Sequence, residues 1–326
     1  MRRAESMRGG MFGYGDIKLF AGSASQALAQ EIADYLSLPL IEYDLIEFAN
    51  ENLFPRLRGS VRGQDVYLIQ SLNSPVHRNI MELLLMIDCL KRDSAGRITA
   101  VIPYMAYARS DKKDKPRVPI AARLLADMIE VAGADRYMTI DLHAGQIQGF
   151  FSIPGDVLTA FHLLSDYFLG RDLKNTVVAT ADLGFAKKGR NFAAKLGTPL
   201  AFVEKRRAEE DPRARATTVI GEVEGCNIIL VDDEVLTAGS VVEAVELLKQ
   251  HGAREISLSF AHALLVPPAV EKLRKLPLKE LVTTNTVGIP PEKHLPKMTV
   301  LSVAPMLGEV IRRAHEGRSV GELFNE

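Results

Sequence analysis

Residues 229–240 read ILVDDEVLTAGS, an apolar run that ends in acidic and then small residues. Its first residues are Ile, Leu and Val, which is typical of a buried strand. Asp232 and Asp233 end the run, and a helical pattern follows over residues 241–251. A buried strand followed directly by a helix is the repeating unit of a parallel sheet covered by helices. The stretch therefore predicts an α/β fold, with acidic side chains at the edge where such sheets bind ligands.

The same alternation extends over most of the chain. Strand patterns cover residues 17–20, 65–70, 97–103, 136–141, 177–179, 200–203, 227–231 and 255–260. Helical patterns cover residues 26–36, 78–91, 120–132, 188–196 and 241–251. Short matches between residues 133–144 and 252–263 indicate that the two halves are built alike. We therefore predict two similar α/β domains over residues 16–160 and 161–326, each a mainly parallel sheet flanked by helices, after a mobile extension over residues 1–15.

Composition limits the classes of function. The chain has 326 residues, of which 47% are hydrophobic and 25% charged, as in ordinary globular proteins. Its formal net charge of −1 argues against a nucleic-acid binder that works through overall positive charge. Two cysteines outside any C-x-x-C motif argue against a disulfide framework and favour a reducing compartment. No apolar run reaches the roughly 18 residues of a membrane span. We expect a cytoplasmic enzyme with no nucleic-acid or membrane partner.

The loop that closes residues 229–240 has the composition of a phosphate site. Backbone N–H groups before a helix bind phosphate, and the hydroxyls of Thr237 and Ser240 can add to them. Asp232 and Asp233 can accept hydrogen bonds from sugar hydroxyls or hold a cation. The alternative is a surface turn in which Ser240 caps the helix.

A second motif, TIDLHAGQIQGFF, covers residues 139–151. Asp141 and His143 are two residues apart at a predicted strand end, so both side chains can face one side. An imidazole beside a carboxylate can ligate or orient a divalent metal. The alternative for His143 is a structural histidine with its hydrogen bonds satisfied.

A third motif is a basic loop over residues 109–117, which carries five Arg or Lys side chains in nine residues. Such a loop can close over a polyphosphate. The alternative is a solvated loop, the usual explanation for a run of charges.

Two shorter motifs follow predicted strands in the second half. Lys205 and Arg207 are two residues apart, share a face, and can stabilise charge on a group in transfer. Asp182 lies after the strand at residues 177–179, where it can ligate a metal or cap the next helix. A solvated strand end is the alternative for the two cations.

Taken in this order, the motifs resemble those of ribose-phosphate pyrophosphokinases, also called phosphoribosyl pyrophosphate synthetases. The resemblance runs from about residue 17 to residue 324 and includes VRGQDV at residues 61–66, YAR at 107–109, DLH at 141–143 and SVGELF at 319–324. It implies transfer of the β,γ-diphosphoryl group of ATP to the 1-hydroxyl of ribose 5-phosphate. It also implies Mg²⁺ as cofactor, two domains of the type I phosphoribosyltransferase fold, and a homo-oligomer that is a hexamer or another dimer-based assembly.

The resemblance further implies a role for each matching residue. Lys205 and Arg207 would be catalytic, Arg207 would also contact ribose 5-phosphate, and His143 and Asp182 would bind the metal. The residues implied to bind ATP are Phe48, Asn50, Glu51, Asn52, Arg109, Ser110, Lys112, Lys113 and Lys115. The residues implied to bind ribose 5-phosphate are Asp232, Asp233, Leu236, Thr237, Ala238, Gly239 and Ser240. In the family Phe48, Asn50 and Asn52 would reach ATP in a neighbouring subunit.

Four positions depart from the family pattern. Leu236 stands where the family usually has a third Asp, which predicts weaker ribose 5-phosphate binding or impaired chemistry. Ser110 stands where a Gln commonly follows the loop arginine. Residues 48–52 read FANEN rather than a sequence like FSDGE, and Gly184 with Phe185 replaces a Gly-Gly pair.

Two alternatives to an active synthetase stay open. A phosphoribosyltransferase would share the acid-rich loop, although the DLH segment, Lys205 and the basic loop belong to the synthetase pattern. A non-catalytic regulatory homologue would be consistent with Leu236, although the metal pair and the two phosphate-facing cations argue for a working site.

Overall fold

The computed structural model describes residues 13–181, 183–207 and 215–323, and for residues 183, 205–207 and 215–217 it describes the backbone alone. These residues form two compact units. Unit 1 comprises the described residues up to Leu158, Thr286–Gly288 and the described residues from Val303 onward. Unit 2 comprises Thr159–Asn285 and Ile289–Ser302. Most of the extension predicted over residues 1–15 lies outside the described residues.

Unit 1 is built on a five-stranded parallel sheet. Its elements up to Leu158 are β1 (Ile17–Ala21), α1 (Gln26–Leu36), β2 (Tyr43–Glu47), β3 (Leu53–Leu57), β4 (Asp65–Ile69), α2 (Val76–Arg92), β5 (Arg97–Ile102), α3 (Ala121–Ala132), β6 (Arg136–Ile140) and β7 (Gly155–Leu158). The sheet order is β1-β4-β5-β6-β7. Every residue of β4 and β5 is buried, as in parallel strands covered on both faces. The remaining two strands, β2 and β3, pair as a separate antiparallel hairpin.

Unit 2 contains a seven-stranded sheet. Its elements are α4 (Phe161–Leu169), β8 (Thr176–Thr180), α5 (Ala186–Leu196), β9 (Leu200–Arg207), β10 (Arg215–Ile220), β11 (Asn227–Val235), α6 (Gly239–Gln250), β12 (Ile256–Ala263), α7 (Pro267–Lys275), β13 (Leu278–Thr284) and β14 (Met298–Leu301). The sheet order is β10-β9-β8-β11-β12-β13-β14, and β10–β9 is the antiparallel pair. Apolar side chains of β11, β12 and α6, with Leu230, Leu258 and Val245 at the centre, form the core.

The last helix, α8 (Ala304–Glu316), belongs to unit 1 and packs on α1. The two helices approach closely because Gly308 has no side chain: a Cβ there would lie 2.4 Å from Cδ1 of Tyr35. The sequence predicts one C-terminal domain over residues 161–326. The two compact units do not follow this prediction at the C-terminus. The boundary lies after Leu158, and the segment from Val303 onward belongs to unit 1.

The elements predicted from apolar patterns match the structure within two residues at each end, apart from β9, β11 and β12, which extend three or four residues further. The extra length of β11 and β9 changes where candidate site residues lie. β11 continues to Val235, so Asp232 and Asp233 lie within the strand rather than after it. Strand β9 continues to Arg207 because β10 pairs with it, so Lys205 also lies on a strand.

The matched segments at residues 133–144 and 252–263 occupy equivalent positions. Gly133 and Gly252 each follow a helix, α3 or α6, with φ of 118° and 83°. Each glycine leads into a strand, β6 or β12. Positive φ favours glycine, so the repeated residue follows from a repeated turn. Across the part of the chain that the structure describes, no helix is both long and apolar enough to span a membrane.

Candidate active site

His143 lies just beyond the carboxyl end of β6. The strand ends at Ile140, and Asp141 takes a left-handed conformation with φ of 45°. The Asp141 N–H donates to the Leu158 carbonyl at 2.9 Å, which extends the pairing of β6 with β7 by one residue before the chain leaves the sheet. Leu142 is buried and His143 is exposed, so the turn presents the imidazole to solvent. The structure therefore places the predicted metal-binding histidine at the edge where parallel sheets bind ligands.

The basic loop connects β5 to α3. Arg109 and the three lysines Lys112, Lys113 and Lys115 are exposed. Ser110 joins the two ends of the loop: its hydroxyl accepts the Ala121 N–H at 3.2 Å, and its carbonyl accepts the Ala122 N–H at 3.1 Å. These bonds take up N–H groups that open the first turn of α3. Ser110 therefore has a structural role at the base of the loop, in addition to the ATP contact predicted for it.

The basic loop also contacts the His143 segment. Asp111 is almost fully buried, and its carboxylate accepts a hydrogen bond from the Gln146 side-chain amide. Gln146 lies in a short 3₁₀ helix over Gly145–Phe150, which Ile147 anchors in the core of unit 1. Unit 1 thus brings the predicted phosphate-binding loop and the predicted metal ligand side by side.

Residues 48–52 form the turn of the β2–β3 hairpin. The Phe48 N–H donates to the Asn52 carbonyl at 2.9 Å, and the Glu51 N–H donates to the Phe48 carbonyl at 2.8 Å. Phe48 is half exposed, and its ring lies 6.1 Å from the ring of Phe54. Asn50, Glu51 and Asn52 are exposed as well. The turn therefore presents one aromatic face and three polar side chains, a set that suits a nucleobase.

The acid-rich stretch of unit 2 runs from the end of β11 to the start of α6. Asp232 is partly exposed, whereas Asp233 is buried. Ala238 precedes the helix with φ of 57°, and α6 begins at Gly239. The alternative in which Ser240 caps this helix is therefore wrong, because Ser240 lies inside its first turn. The N–H groups of that turn, beside the exposed hydroxyls of Thr237 and Ser240, match a phosphate site.

Leu236 lies at the point where the chain leaves β11. Its carbonyl accepts the Val266 N–H at 3.1 Å, and the neighbouring Val235 carbonyl accepts the Leu265 N–H at 3.0 Å. The backbone is thus fixed whatever the side chain, and Leu236 is partly exposed. A substitution at this position would leave these two backbone bonds in place.

Lys205 and Arg207 lie on β9, where the structure describes their backbone. Their Cα partners on β10 are Thr217 and Arg215. The spacing of two along a strand places both residues on one face, as the sequence predicts. Asp182 lies outside the described residues.

Two more ionisable residues, outside the predicted set, lie at the same edge of unit 2. Glu234 of β11 and His262 of β12 are buried and face each other in the parallel register. In the sequence, His262 is marked only because it repeats His143 in the matched segments. Glu234 is marked only by its place directly after Asp232 and Asp233. Both lie at the carboxyl edge of the sheet, which is the edge where open parallel sheets bind ligands.

Among the described residues, no three or more His, Cys, Asp or Glu side chains are grouped so that they could hold a metal ion. Mg²⁺ commonly binds to one or two protein ligands and completes its shell with water and substrate phosphates. A site of the kind predicted for His143 and Asp182 would have this character.

Comparisons with known proteins agree with one another. A family model described as the N-terminal domain of ribose phosphate pyrophosphokinase matches residues 17–133, and a phosphoribosyl synthetase-associated domain matches residues 212–325. A ribose-phosphate pyrophosphokinase of Caldanaerobacter subterraneus subsp. tengcongensis is 47% identical over 94% of this chain and 98% of its own length. The chain belongs to the ribose-phosphate pyrophosphokinase family.

Other members extend the same result. The chloroplastic ribose-phosphate pyrophosphokinase 1 of Arabidopsis thaliana is 44% identical over 94% of this chain and 77% of its own length. A crystal structure of phosphoribosylpyrophosphate synthetase from Mycobacterium smegmatis matches with a TM-score of 0.88 and 40% identity, over 93% of this chain and 99% of that one. The family resemblance of the motifs is confirmed. The predicted fold class is confirmed too, with two phosphoribosyltransferase-like domains of mainly parallel strands.

Proposed function

We propose that this member of the family is an active ribose-phosphate diphosphokinase. It transfers the β,γ-diphosphoryl group of ATP to the 1-hydroxyl of ribose 5-phosphate and gives phosphoribosyl pyrophosphate and AMP. The observation that carries the proposal is 47% identity to a ribose-phosphate pyrophosphokinase over 94% of the chain. Two structural features support it: the basic loop beside His143 in unit 1 and the loop before α6 in unit 2, which has the composition of a phosphate site.

The reaction is a displacement at the β-phosphorus of ATP. The 1-hydroxyl oxygen of the sugar forms a bond to that phosphorus, while the bond to the oxygen shared with the α-phosphorus breaks. AMP leaves with the electron pair, and the hydroxyl proton passes to solvent or to a carboxylate. Such transfers need little covalent help from the protein, so positioning and charge neutralisation account for most of the rate.

The sugar phosphate would bind at the start of α6. The N–H groups and hydroxyls of residues 237–240 would hold the 5-phosphate. Asp232, which is partly exposed, and Asp233, which is buried in the free protein, would accept hydrogen bonds from the ribose hydroxyls. The Asp233 N–H already donates to Oδ1 of Asp232 at 2.9 Å, which holds that carboxylate in place.

ATP would bind to the basic loop of one subunit and to the hairpin turn of a neighbouring subunit. Phe48 would contact the base, and Asn50, Glu51 and Asn52 would bind the base or ribose. Arg109, Ser110, Lys112, Lys113 and Lys115 would face the polyphosphate, and Lys205 and Arg207 would neutralise charge on the diphosphoryl group during transfer.

Mg²⁺ is the cofactor we propose, with His143 and Asp182 as its protein ligands. When bound it would neutralise phosphate charge and hold the diphosphoryl oxygens in place. The exposed imidazole at the end of β6 suits such a role, since it reaches solvent where a nucleotide would arrive. We also propose a cytoplasmic homo-oligomer, either a hexamer or another dimer-based assembly. Light scattering of the purified chain would test the assembly.

The first experiment measures AMP and phosphoribosyl pyrophosphate formed from ATP, Mg²⁺ and ribose 5-phosphate. The unmodified protein is compared with Leu236→Asp and with Leu236→Asn, which has a similar size and no charge. We expect turnover by the unmodified protein. We expect Leu236→Asp to lower KM for ribose 5-phosphate on the order of tenfold, since a hydrogen bond to a charged group is worth about 1.5–3 kcal/mol.

Two other outcomes would replace the proposal. A silent unmodified protein beside an active Leu236→Asp variant would identify a disabled regulatory homologue, the alternative that Leu236 favours. Nucleotide formation from phosphoribosyl pyrophosphate and a free base, without synthesis of phosphoribosyl pyrophosphate, would identify a phosphoribosyltransferase.

A further inference from the structure

Glu82 is a buried carboxylate in α2 that contacts several parts of unit 1. Its side chain has no solvent exposure. Oε1 accepts the Ser23 N–H and hydroxyl at 2.8 Å each and the Tyr43 hydroxyl at 3.1 Å. Oε2 accepts Nε2 of Gln70 at 3.2 Å and Nη1 of Arg78 at 3.3 Å. A buried charge is tolerated when it is paired and hydrogen-bonded in this way.

Arg78 connects this buried carboxylate to the hairpin. Its Nε and Nη2 donate to Oε2 of Glu47 at 3.1 and 3.0 Å, while Nη1 stays on Glu82. Glu47 is the last residue of β2 and directly precedes Phe48. Arginine can serve two carboxylates at once because its planar fork carries five N–H donors. One guanidinium therefore fixes the end of β2 to the core.

Both ends of β2 depend on the same carboxylate. Tyr43 opens the strand and donates its hydroxyl to Glu82, and burial, with the nearby Glu82 charge, raises the pKa of this phenol so that it stays a donor. Glu47 closes the strand through Arg78. The hairpin is a two-stranded ribbon outside the main sheet, and β3 packs on α2. Because two-stranded ribbons are marginally stable in water without such packing, contacts to α2 matter for its conformation.

The first turn of α2 also contacts the segment just before the basic loop. Nδ1 of His77, the neighbour of Arg78, lies 3.4 Å from the hydroxyl of Tyr107, two residues before Arg109. Adjacent residues of one helix thus contact the hairpin and the residues that lead into the basic loop.

We propose that Arg78 is a positioning residue for nucleotide binding: it ties Glu47 to the buried Glu82 and so sets the conformation in which residues 48–52 receive ATP. The inference rests on the proposed function, since the hairpin is assigned there to ATP. Arg78 itself need not touch the nucleotide.

The test compares Arg78→Gln, Glu47→Gln and the double variant with Arg92→Gln as the matched control. Arg92 lies on the same helix and pairs with Asp88, but this pair is exposed and lies at the opposite end of α2 from Arg78. Hydrogen–deuterium exchange of the Phe48 and Glu51 amides reports the hairpin directly, without turnover. We expect about three- to fivefold faster exchange in Glu47→Gln, the range of a partly exposed ion pair, and unchanged exchange in Arg92→Gln. We expect at least as large an increase in Arg78→Gln, because that variant also removes the cation beside the buried Glu82.

Kinetics supply the second readout. We expect KM for ATP to rise about three- to fivefold in both single variants, with kcat and KM for ribose 5-phosphate within about twofold of the unmodified protein. The double variant should match Arg78→Gln, since the two residues act through one contact. A general loss of stability would instead lower kcat or affect both substrates.

The outcomes separate the inference from the proposed function. Unchanged exchange of the hairpin amides, or effects of the two single variants that add in the double variant, would overturn the role of Arg78. An unmodified protein that makes no phosphoribosyl pyrophosphate would overturn the proposed function. Hydrogen–deuterium exchange of the hairpin amides, together with ATP binding measured by calorimetry, would then decide the role of Arg78. If Arg78→Gln fails to fold because Glu82 loses its cation, Glu47→Gln carries the test, since it leaves the Arg78–Glu82 pair intact.

Discussion

Asp65 is the centre of a buried ionic cluster in unit 1, and its replacement by asparagine should destabilise that unit. Arg97 Nε and Nη2 donate to the two Asp65 oxygens at 2.7 and 2.6 Å. Nδ1 of His315, on α8, lies 2.8 Å from Oδ2, and the Tyr67 hydroxyl donates to Oδ2 at 3.1 Å. Asp65 is fully buried and Arg97 almost so. A neutral amide in place of this carboxylate would leave the Arg97 charge buried without its counter-charge.

The magnitude follows from that burial. Removing one partner of a buried ion pair costs about 3–5 kcal/mol. The asparagine side chain keeps one acceptor oxygen, so we expect the lower end, about 3 kcal/mol of unfolding free energy. For a unit of this size that loss lowers the unfolding temperature by about 6–12 °C. Asp88→Asn, which removes an exposed pair with Arg92, should stay within about 0.5 kcal/mol of the unmodified protein.

Acid supplies an independent check. Burial raises the pKa of Asp65, but the hydrogen bonds from His315 and Arg97 outweigh it and hold the pKa below its usual value. A carboxyl whose pKa is lower in the folded state stabilises the fold above its unfolded pKa, about 4, and loses that contribution as pH falls through the folded pKa. The gap between the unmodified protein and Asp65→Asn should therefore persist from about pH 7 to about pH 5 and shrink below about pH 4.

Thermal unfolding by calorimetry, with hydrogen exchange of the β4 and β5 amides, measures both effects in unit 1. A change of less than about 1 kcal/mol in Asp65→Asn, well under the cost of breaking a buried pair, or a gap that widens on acidification, would refute the reasoning about the cluster.

Two further predictions concern the proposed site. Lys205→Ala should lower kcat by about 10²–10³, and a change confined to KM in steady-state assays would contradict its catalytic role. Ser110→Ala should lower the free energy of unfolding by about 1 kcal/mol, as for a lost helix cap. It should also raise KM for ATP, because the basic loop loses one hydrogen bond at its base. Thermal unfolding measures the first effect and ATP titration the second, and Ser110→Thr is the control that keeps the hydroxyl.

The parallel sheets could be predicted from sequence because their strands carry their own signal. β11 has a run of apolar, largely β-branched residues, and α6 follows with a helical period. The β2–β3 hairpin escaped prediction because its residues are half exposed and Pro55 interrupts β3. Proline is tolerated there because both strands of a two-stranded ribbon are edges.

Non-local contacts could not be predicted from one sequence. The placement of α8 in unit 1 depends on Gly308 meeting Tyr35, far away in the chain. The link from Glu47 through Arg78 to Glu82 joins a loop and a helix whose residues show no shared pattern. The residues of the proposed site, in contrast, lie in short continuous motifs, so the sequence alone could nominate them as candidates.

The return of α8 to unit 1 affects the order in which the protein is made. A ribosome releases the residues of unit 2 before it releases α8. The contact between α1 and α8 therefore cannot form until almost the whole chain has emerged. Domains generally fold as units during synthesis, and here the N-terminal unit is the last to be complete. His315, which binds Asp65, arrives with that final helix. Loss of the residues from Val303 onward would therefore damage the N-terminal unit rather than unit 2.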